Sequence, residues 1–307
     1  MAEANGPDYL DSLLERGLLL GTGQDGIYGR GADFEDVVER LDALIVRRWR
    51  TKDGAEPVRF PPMMPRRDIE ASGYLHSFPQ LAGTVHSFCG DMGEHREMLR
   101  CIAVGEDWTT NQKSVDLALT PAACYPVYPV IARRGPVPER GWLIDIASYC
   151  FRHEPSRDPA RMQAFRMHEH VRIGTPEQIL AFRTMWLERG REFAAELALP
   201  ATVDLANDPF FGRSGEVLAA NQRRQELKFE LLIPILSAER PTACMSFNYH
   251  VDHFGQVWQM RTPDGAIAHS GCIGFGLERL TLALFRHHGL DVASWPEPVR
   301  RVLWDAA

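Results

Sequence analysis

Gly271-Cys272-Ile273-Gly274-Phe275-Gly276-Leu277-Glu278-Arg279-Leu280-Thr281-Leu282-Ala283-Leu284-Phe285 reads as an extended segment that turns into a helix. Two close glycines end the strand, and Leu277, Leu280, Leu284 and Phe285 recur at helical spacing. Arg279 falls in the first turn, where free backbone N–H groups already favour an anion. A guanidinium there can grip phosphate oxygens through two parallel hydrogen bonds. Taken alone, the same letters describe a strand-to-helix turn with a solvated arginine. A second arginine-bearing segment far upstream, Phe151-Arg152-His153-Glu154, raises the anion-binding reading above that plainer one.

Outward from these two segments, the chain reads as hairpins with helices set between them. Trp142 to Arg152 is a buried strand, and after a polar loop a second strand runs from Met162 to Ile173, making a long hairpin. Thr175-Pro176-Glu177-Gln178 is a helix start, with an N-cap threonine, proline in the first turn and glutamine at the third position. That helix should run to about Ala198. Further strands are expected at 84–90, 100–104, 115–119, 227–235, 242–250 and 256–261, and 66–80 reads as a helix broken at Gly73. Towards the N-terminus, 8–20 reads as a short helix and 21–26 as a plain glycine-rich loop. Residues 33–50 form an amphipathic helix ending in solvated Arg47, Arg48, Arg50 and Lys52. This order predicts an α+β fold with an antiparallel sheet rather than a parallel, doubly wound one. A short N-terminal helical segment, 1–55, would precede a catalytic domain, 56–307.

Bulk properties narrow the class. The 307 residues, 45% hydrophobic and 24% charged, suit an ordinary globular protein of one large domain with a small appendage. No apolar run approaches the roughly 18 residues of a membrane span, and the first residues carry no basic region or signal core. Six scattered cysteines without a CxxC pair favour thiols in a reducing cytoplasm. A net charge of −7 argues against a large nucleic-acid surface.

Phe151-Arg152-His153-Glu154, the hairpin, and Gly274-Phe275-Gly276-Leu277-Glu278-Arg279 resemble motifs two and three of class II aminoacyl-tRNA synthetases. The segment around Pro61 and Pro62 is similar to motif one, which in that class builds a homodimer. The order of later landmarks, Leu199-Pro200, the strand from Lys228, and Ala243-Cys244-Met245-Ser246-Phe247-Asn248, looks like the seryl branch. The resemblance covers about residues 56–290. Two departures stand out. Only about 55 residues precede motif one, too few for the helical arm that holds tRNA. In the amino-acid loop, Ala122 and Cys124 replace a threonine and a glutamate. That loop instead resembles the zinc-containing threonyl and atypical archaeal seryl enzymes.

The resemblance implies a zinc site with three protein ligands and one position left for substrate. Cys124, Cys272 and Glu169 follow the atypical seryl pattern, whereas the threonyl pattern would put a histidine of the same strand in place of Glu169. Strand alternation puts His168 and His170 on the face opposite Glu169. Cys89, Cys101, Cys150 and Cys244 are assigned to core packing. The resemblance further implies ATP with magnesium held by Arg152 on the α-phosphate and Arg279 on the γ-phosphate. Glu154 would read the adenine amino group, with Arg161 or Met162 bordering the ring. Lys228, Ala243, Cys244, Met245 and Ser246 complete the expected ATP site, and Ala122, Cys124, Glu169 and Ser246 the amino-acid site. Small Ala122 and Ala123 and bulky Met245 suggest a short pocket for glycine or alanine.

A class II core without a tRNA-binding arm resembles the amino acid:[carrier protein] ligases, which load an amino acid onto the phosphopantetheine thiol of a small acidic carrier. The segment 213–226, with Arg213, Arg223 and Arg224, and the cluster Arg47, Arg48 and Arg50 are two candidate docks for such a partner. A tRNA synthetase subunit, or a silent regulatory paralogue, are the other readings of the same motifs.

Overall fold

A computed structural model describes residues 8–305, with the side chains of Arg213 and Ser214 outside the described set. A short hairpin pairs β1 (Leu19–Gln24) with β2 (Ile27–Arg30). The chain then crosses the helix Ala32–Ile45 to β3 (Glu56–Val58). A separate three-stranded sheet contains β4 (Met63–Pro65), β5 (Thr84–Phe88) and β6 (Gln112–Leu119), in the order β4-β6-β5. The main sheet adds to β3 the strands β7 (Trp142–Phe151), β8 (Ala164–Gly174), β9 (Thr202–Leu205), β10 (Lys228–Ile233), β11 (Thr242–Tyr249) and β12 (His269–Gly276). Its order is β3-β7-β8-β12-β11-β10-β9. Every neighbouring pair is antiparallel except β3 with β7.

Helices cover one face of this sheet. Pro176–Glu196 starts with the capping box read from the sequence: Gln178 N–H donates to Thr175 Oγ1, and Thr175 N–H donates to Gln178 Oε1 at 3.0 Å. It buries Phe182, Trp186 and Phe193, and Trp186 and Phe193 each pack edge-on against Phe275 of β12. Phe34, Val37, Val38, Leu41 and Leu44 of Ala32–Ile45 fall on one stripe and join the same core as Leu280, Leu284 and Phe285. Burying each such side chain contributes about 1.5–3 kcal/mol, so the N-terminal helix is anchored to the sheet.

Several local expectations fail for identifiable reasons. Residues 100–104 are not a strand but the last turn of the helix Met92–Val104. A capping box, Asp91 with Glu94, starts it, and left-handed Gly105 (φ 73°) stops it. The run 256–261 alternates like a strand, yet its first half belongs to the helix His253–Trp258, which ends at left-handed Gln259. The expected helix 8–20 spans only Tyr9–Glu15, and the expected loop 21–26 lies in the β1–β2 hairpin. The helix expected over 33–50 widens to a π-turn at Val46–Arg50. Cys89 is exposed rather than in the core.

Candidate active site

One face of the main sheet floors a cleft of about 420 Å³, walled by Tyr74, Phe78, Pro121 and Phe210. Alternation sets what faces it. On β8, Met167 and Glu169 point in; on β12, Cys272, Gly274 and Gly276; on β11, Ser246 and Asn248; on β10, Lys228 and Glu230. Gly274 faces Ser246 in register, and a Cβ there would meet Ser246 Oγ at 3.0 Å and Met167 Cε at 3.3 Å. A side chain at that position would fill the floor.

At one end, Cys124, Glu169 and Cys272 bring one ligand atom each to within 4.8 Å of the others, all three residues buried. Cys124 N–H donates to Glu169 Oε1 at 3.2 Å, and Asn248 Nδ2 donates to Cys272 Sγ at 3.4 Å. Without a cation this is an expensive arrangement. The hydrogen bond to Cys272, then burial and the Glu169 charge, hold the Cys124 thiol well above its ordinary value. The Cys272 thiol is also raised: the Cys124 hydrogen bond pulls it down, but burial and Glu169 outweigh that. Burial pushes the Glu169 carboxyl up despite hydrogen bonds from both cysteines. A divalent ion would reverse all three, because the thiolate and carboxylate forms are its ligands. Two sulfurs and a carboxylate are a zinc donor set with a fourth position open, so the residues fit that metal.

At the other end, two guanidiniums enter the cleft. Arg152 Nε donates to Pro121 O at 3.1 Å, and the group lies over the Phe165 ring at 5.4 Å. Arg279 Nε and Nη1 donate to Ala160 O at 2.8 Å and Ala243 O at 2.9 Å. Neither forms a salt bridge with a carboxylate among the described residues. Burial, and repulsion from Arg152, pull the Arg279 pKa down. The two cations therefore repel each other until an anion arrives. The buried neighbour of Arg279, Glu278, at the edge of the same cleft, is committed elsewhere: it accepts from the Arg166 N–H at 2.7 Å, Arg166 Nε at 2.9 Å and Arg30 Nη2 at 3.0 Å.

Lys228 differs. Its ammonium is buried but already paired, 2.5 Å from Asp208 and 3.0 Å from Glu230. Burial opposes its charge, yet these two carboxylates outweigh it and raise the pKa.

The cleft is also lined by Ala122, Cys124, Glu154, Met162, Glu169, Ala243, Cys244, Met245 and Cys272. Arg161 is not part of the lining; it pairs with Glu154 at 3.4 Å and Asp158 at 3.6 Å. Ala123 is buried in the core beside the cleft and leaves the pocket to Ala122. His168 and His170 lie on the far side of the sheet, as alternation requires. The basic end at 47–52 is only partly solvated as read: Arg47 and Lys52 are exposed, but Arg50 pairs with Asp145, Arg48 with Glu196, and Arg47 also donates to Val302 O.

His250, for which the sequence reading names no role, also lines the cleft. His250 sits with Nε2 3.6 Å from Cys272 Sγ and Nδ1 3.1 Å from Ser270 Oγ. Burial lowers its pKa to about 4, so it is a neutral imidazole near neutrality. The signal was available: positions 246, 248 and 250 share one face at a period of two.

No protein-family model matches the chain. It is 50% identical over 299 residues to amino acid--[acyl-carrier-protein] ligase 1 of Bradyrhizobium diazoefficiens, covering 96% of this chain and 90% of that protein. It is 29% identical over 283 residues to the type-2 serine--tRNA ligase of Methanopyrus kandleri, covering 85% of this chain but 53% of that one. Among solved structures, M. kandleri SerRS in complex with A. aeolicus tRNASec superposes with a TM-score of 0.81 at 24% identity, over 96% of this chain and 60% of that one. The fold is thus that of a class II synthetase catalytic domain, α+β with an antiparallel sheet. The half-identical, nearly full-length match decides the family: the chain is a ligase and belongs to the amino acid--[acyl-carrier-protein] ligases.

Proposed function

We propose that the chain activates a small amino acid, glycine or alanine, with ATP as an aminoacyl adenylate. It then passes the aminoacyl group to the phosphopantetheine thiol of a carrier protein. The observation that carries this reading is the pairing, in one cleft, of two counterion-free arginines with a buried Cys–Glu–Cys set. Bound by Cys124, Glu169 and Cys272, zinc would supply a Lewis-acid position for the neutral amine of the substrate. Arg152 and Arg279 would donate hydrogen bonds to phosphate oxygens, with magnesium taking further phosphate charge. Held in register, a carboxylate oxygen attacks the α-phosphorus and pyrophosphate leaves, its charge met by the guanidiniums. In the second step the carrier thiol attacks the acyl carbon and AMP departs, giving a thioester. Glu154 and Met162 border the adenine; Arg161, held by Glu154 and Asp158, stands behind them. Lys228, neutralised by its two carboxylates, is a secondary contact. Ala122, Met245 and Ser246 keep the amino-acid end short, and a methyl group there discriminates by only about 1–3 kcal/mol.

The helix Gly212–Arg224 supports the acceptor reading. Its Gln222 lines the cleft, Arg223 and Arg224 at its end are exposed, and Val217 and Leu218 earlier on the helix are exposed apolar groups. A basic and apolar helix at the mouth suits an acidic carrier. A symmetric dimer accords with the motif-one resemblance and with the exposed Met92, Leu99, Ile102 and Val104 on Met92–Val104. No helix of the described residues is long and apolar enough to cross a membrane, and a cytoplasmic location is proposed. Pyrophosphate exchange over a panel of amino acids, followed by labelled transfer to carrier protein or to tRNA, tests the reading. Exchange with glycine or alanine and label on the carrier supports it; label on tRNA alone replaces it with the synthetase reading, and no exchange with any amino acid overturns it.

A further inference from the structure

The back of the main sheet carries a second set of metal-ligating side chains, unrelated to the cleft. His168 and His170 flank Glu169 on β8 and project to the opposite face, and Asp145 on β7 stands directly across from His170. The three residues are buried, and one ligand atom of each lies within 4.8 Å of the others. His168 is fully engaged, with Nδ1 at 2.6 Å from Asp42 Oδ1 and Nε2 at 2.8 Å from Asp145 Oδ2. His170 is not. Its side chain is 0% exposed, packed beside Trp186 and Phe275. Neither ring nitrogen has a hydrogen-bond partner, and Asp145 Oδ2 lies 3.7 Å from Nε2. Buried side-chain polar groups are in the large majority of cases partnered, and each exception calls for a physical account.

We propose that Asp145, His168 and His170 hold a second divalent transition-metal ion, of the zinc class, on the face of the sheet opposite the cleft. Bonds of about 2.0–2.1 Å in a tetrahedron separate ligand atoms by roughly 3.3 Å. The distances from Asp145 Oδ2 to the two imidazoles, 2.8 and 3.7 Å, bracket that value. Asp42 on His168 Nδ1 is the outer carboxylate that commonly orients a metal-bound imidazole. Arg50 and Arg59 occupy the other oxygen, Oδ1, at 2.9 and 3.0 Å, leaving Oδ2 turned to the histidines. A cavity of about 330 Å³ on the same side of the sheet is lined by Asp42, the carboxylate on His168 Nδ1, but not by the three ligands themselves. The two arginines repel a cation, so this site binds more weakly than the dithiolate set and fills second. Its donors are two imidazoles and a carboxylate, with no sulfur, and that difference makes it observable.

Metal-depleted full-length protein titrated with Co²⁺ and followed by absorption tests the proposal. The expected result is two ions per chain. The first brings thiolate-to-cobalt charge transfer in the near ultraviolet, and the second adds weak visible bands only. Cys124→Ser combined with Cys272→Ser keeps the second step alone, and His170→Leu keeps the first alone. Saturation of the wild type at one ion per chain, or no cobalt bound by the double cysteine variant, overturns it. The wild-type stoichiometry decides the matter even if His170→Leu fails to fold. No amino acid, ATP or carrier enters the assay, so its outcome is separate from the proposed reaction.

Discussion

The two faces of β8 treat charge in opposite ways. On the back, charges are held in close pairs: Asp145 meets Arg50, Arg59 and His168, and Arg166 meets Glu35 and Glu278. On the cleft side, Arg152 and Arg279 rest on carbonyl oxygens and two thiols share a pocket with a carboxyl. A folded chain tolerates such unneutralised groups where a ligand supplies the missing charge. Apart from unpartnered His170, the back face serves stability, and the cleft gives some stability up for binding. Predictions should therefore separate along this line.

The largest effect belongs to the back. Asp145→Ala strands Arg50 and His168 without their shared carboxylate, and breaking a buried pair this way costs about 3–5 kcal/mol. Thermal or urea unfolding should show that loss. On the cleft side, Arg279→Ala removes a group that touches only backbone carbonyls. Its melting curve should stay within about 1 kcal/mol of wild type, while pyrophosphate exchange falls roughly 10²–10³-fold, the cost of losing one preorganised charge stabiliser. If Arg279→Ala unfolds the protein and Asp145→Ala merely slows exchange, the distinction between the faces is wrong. A sharper, smaller test concerns the helix at the cleft mouth. Reversing Arg223 and Arg224 to glutamate should raise KM for an acidic carrier about tenfold, equivalent to ~1.4 kcal/mol, and leave exchange untouched. Equal loss of both activities would remove that helix as the dock.

Much of the cleft was legible because its signals are local. Arg152 and Arg279 sit in short motifs whose strand or helix context the sequence supplies; Cys124, Glu169 and Cys272 were implied by the family resemblance, and period-two alternation set Glu169 on the face opposite its flanking histidines. What was not legible depends on partners distant in sequence. Nothing near Lys228 shows that Asp208, twenty positions earlier, would neutralise it. Nothing near Arg50 announces Asp145. The failed strands at 100–104 and 256–261 have β-like composition, and only their boundary chemistry, the Asp91–Glu94 capping box and left-handed Gln259, tells helix from strand.

Lys228 provides the smallest effect and the closest test, because it lies in the cleft yet is paired like a back-face residue. Burial alone would push Asp208 up, but the Lys228 ammonium and the Gln222 amide outweigh it and hold the carboxyl below its ordinary value. A carboxyl depressed in the folded state contributes stability that is present above its unfolded pKa, near 3.9, and is lost as pH falls through the folded value. Because Asp208 is partly open to solvent, that contribution should be under about 1 kcal/mol. Lys228→Met should therefore flatten the acid limb of the stability profile below about pH 4, reduce stability at neutral pH by a similar amount, and lower exchange by less than about tenfold. Unfolding midpoints measured from pH 3 to 7, with exchange rates at neutral pH, check both halves. Should the loss of exchange match that of Arg279→Ala, Lys228 must leave Asp208 and Glu230 to meet phosphate during the reaction, and a salt bridge in the resting cleft would no longer mark a residue as structural.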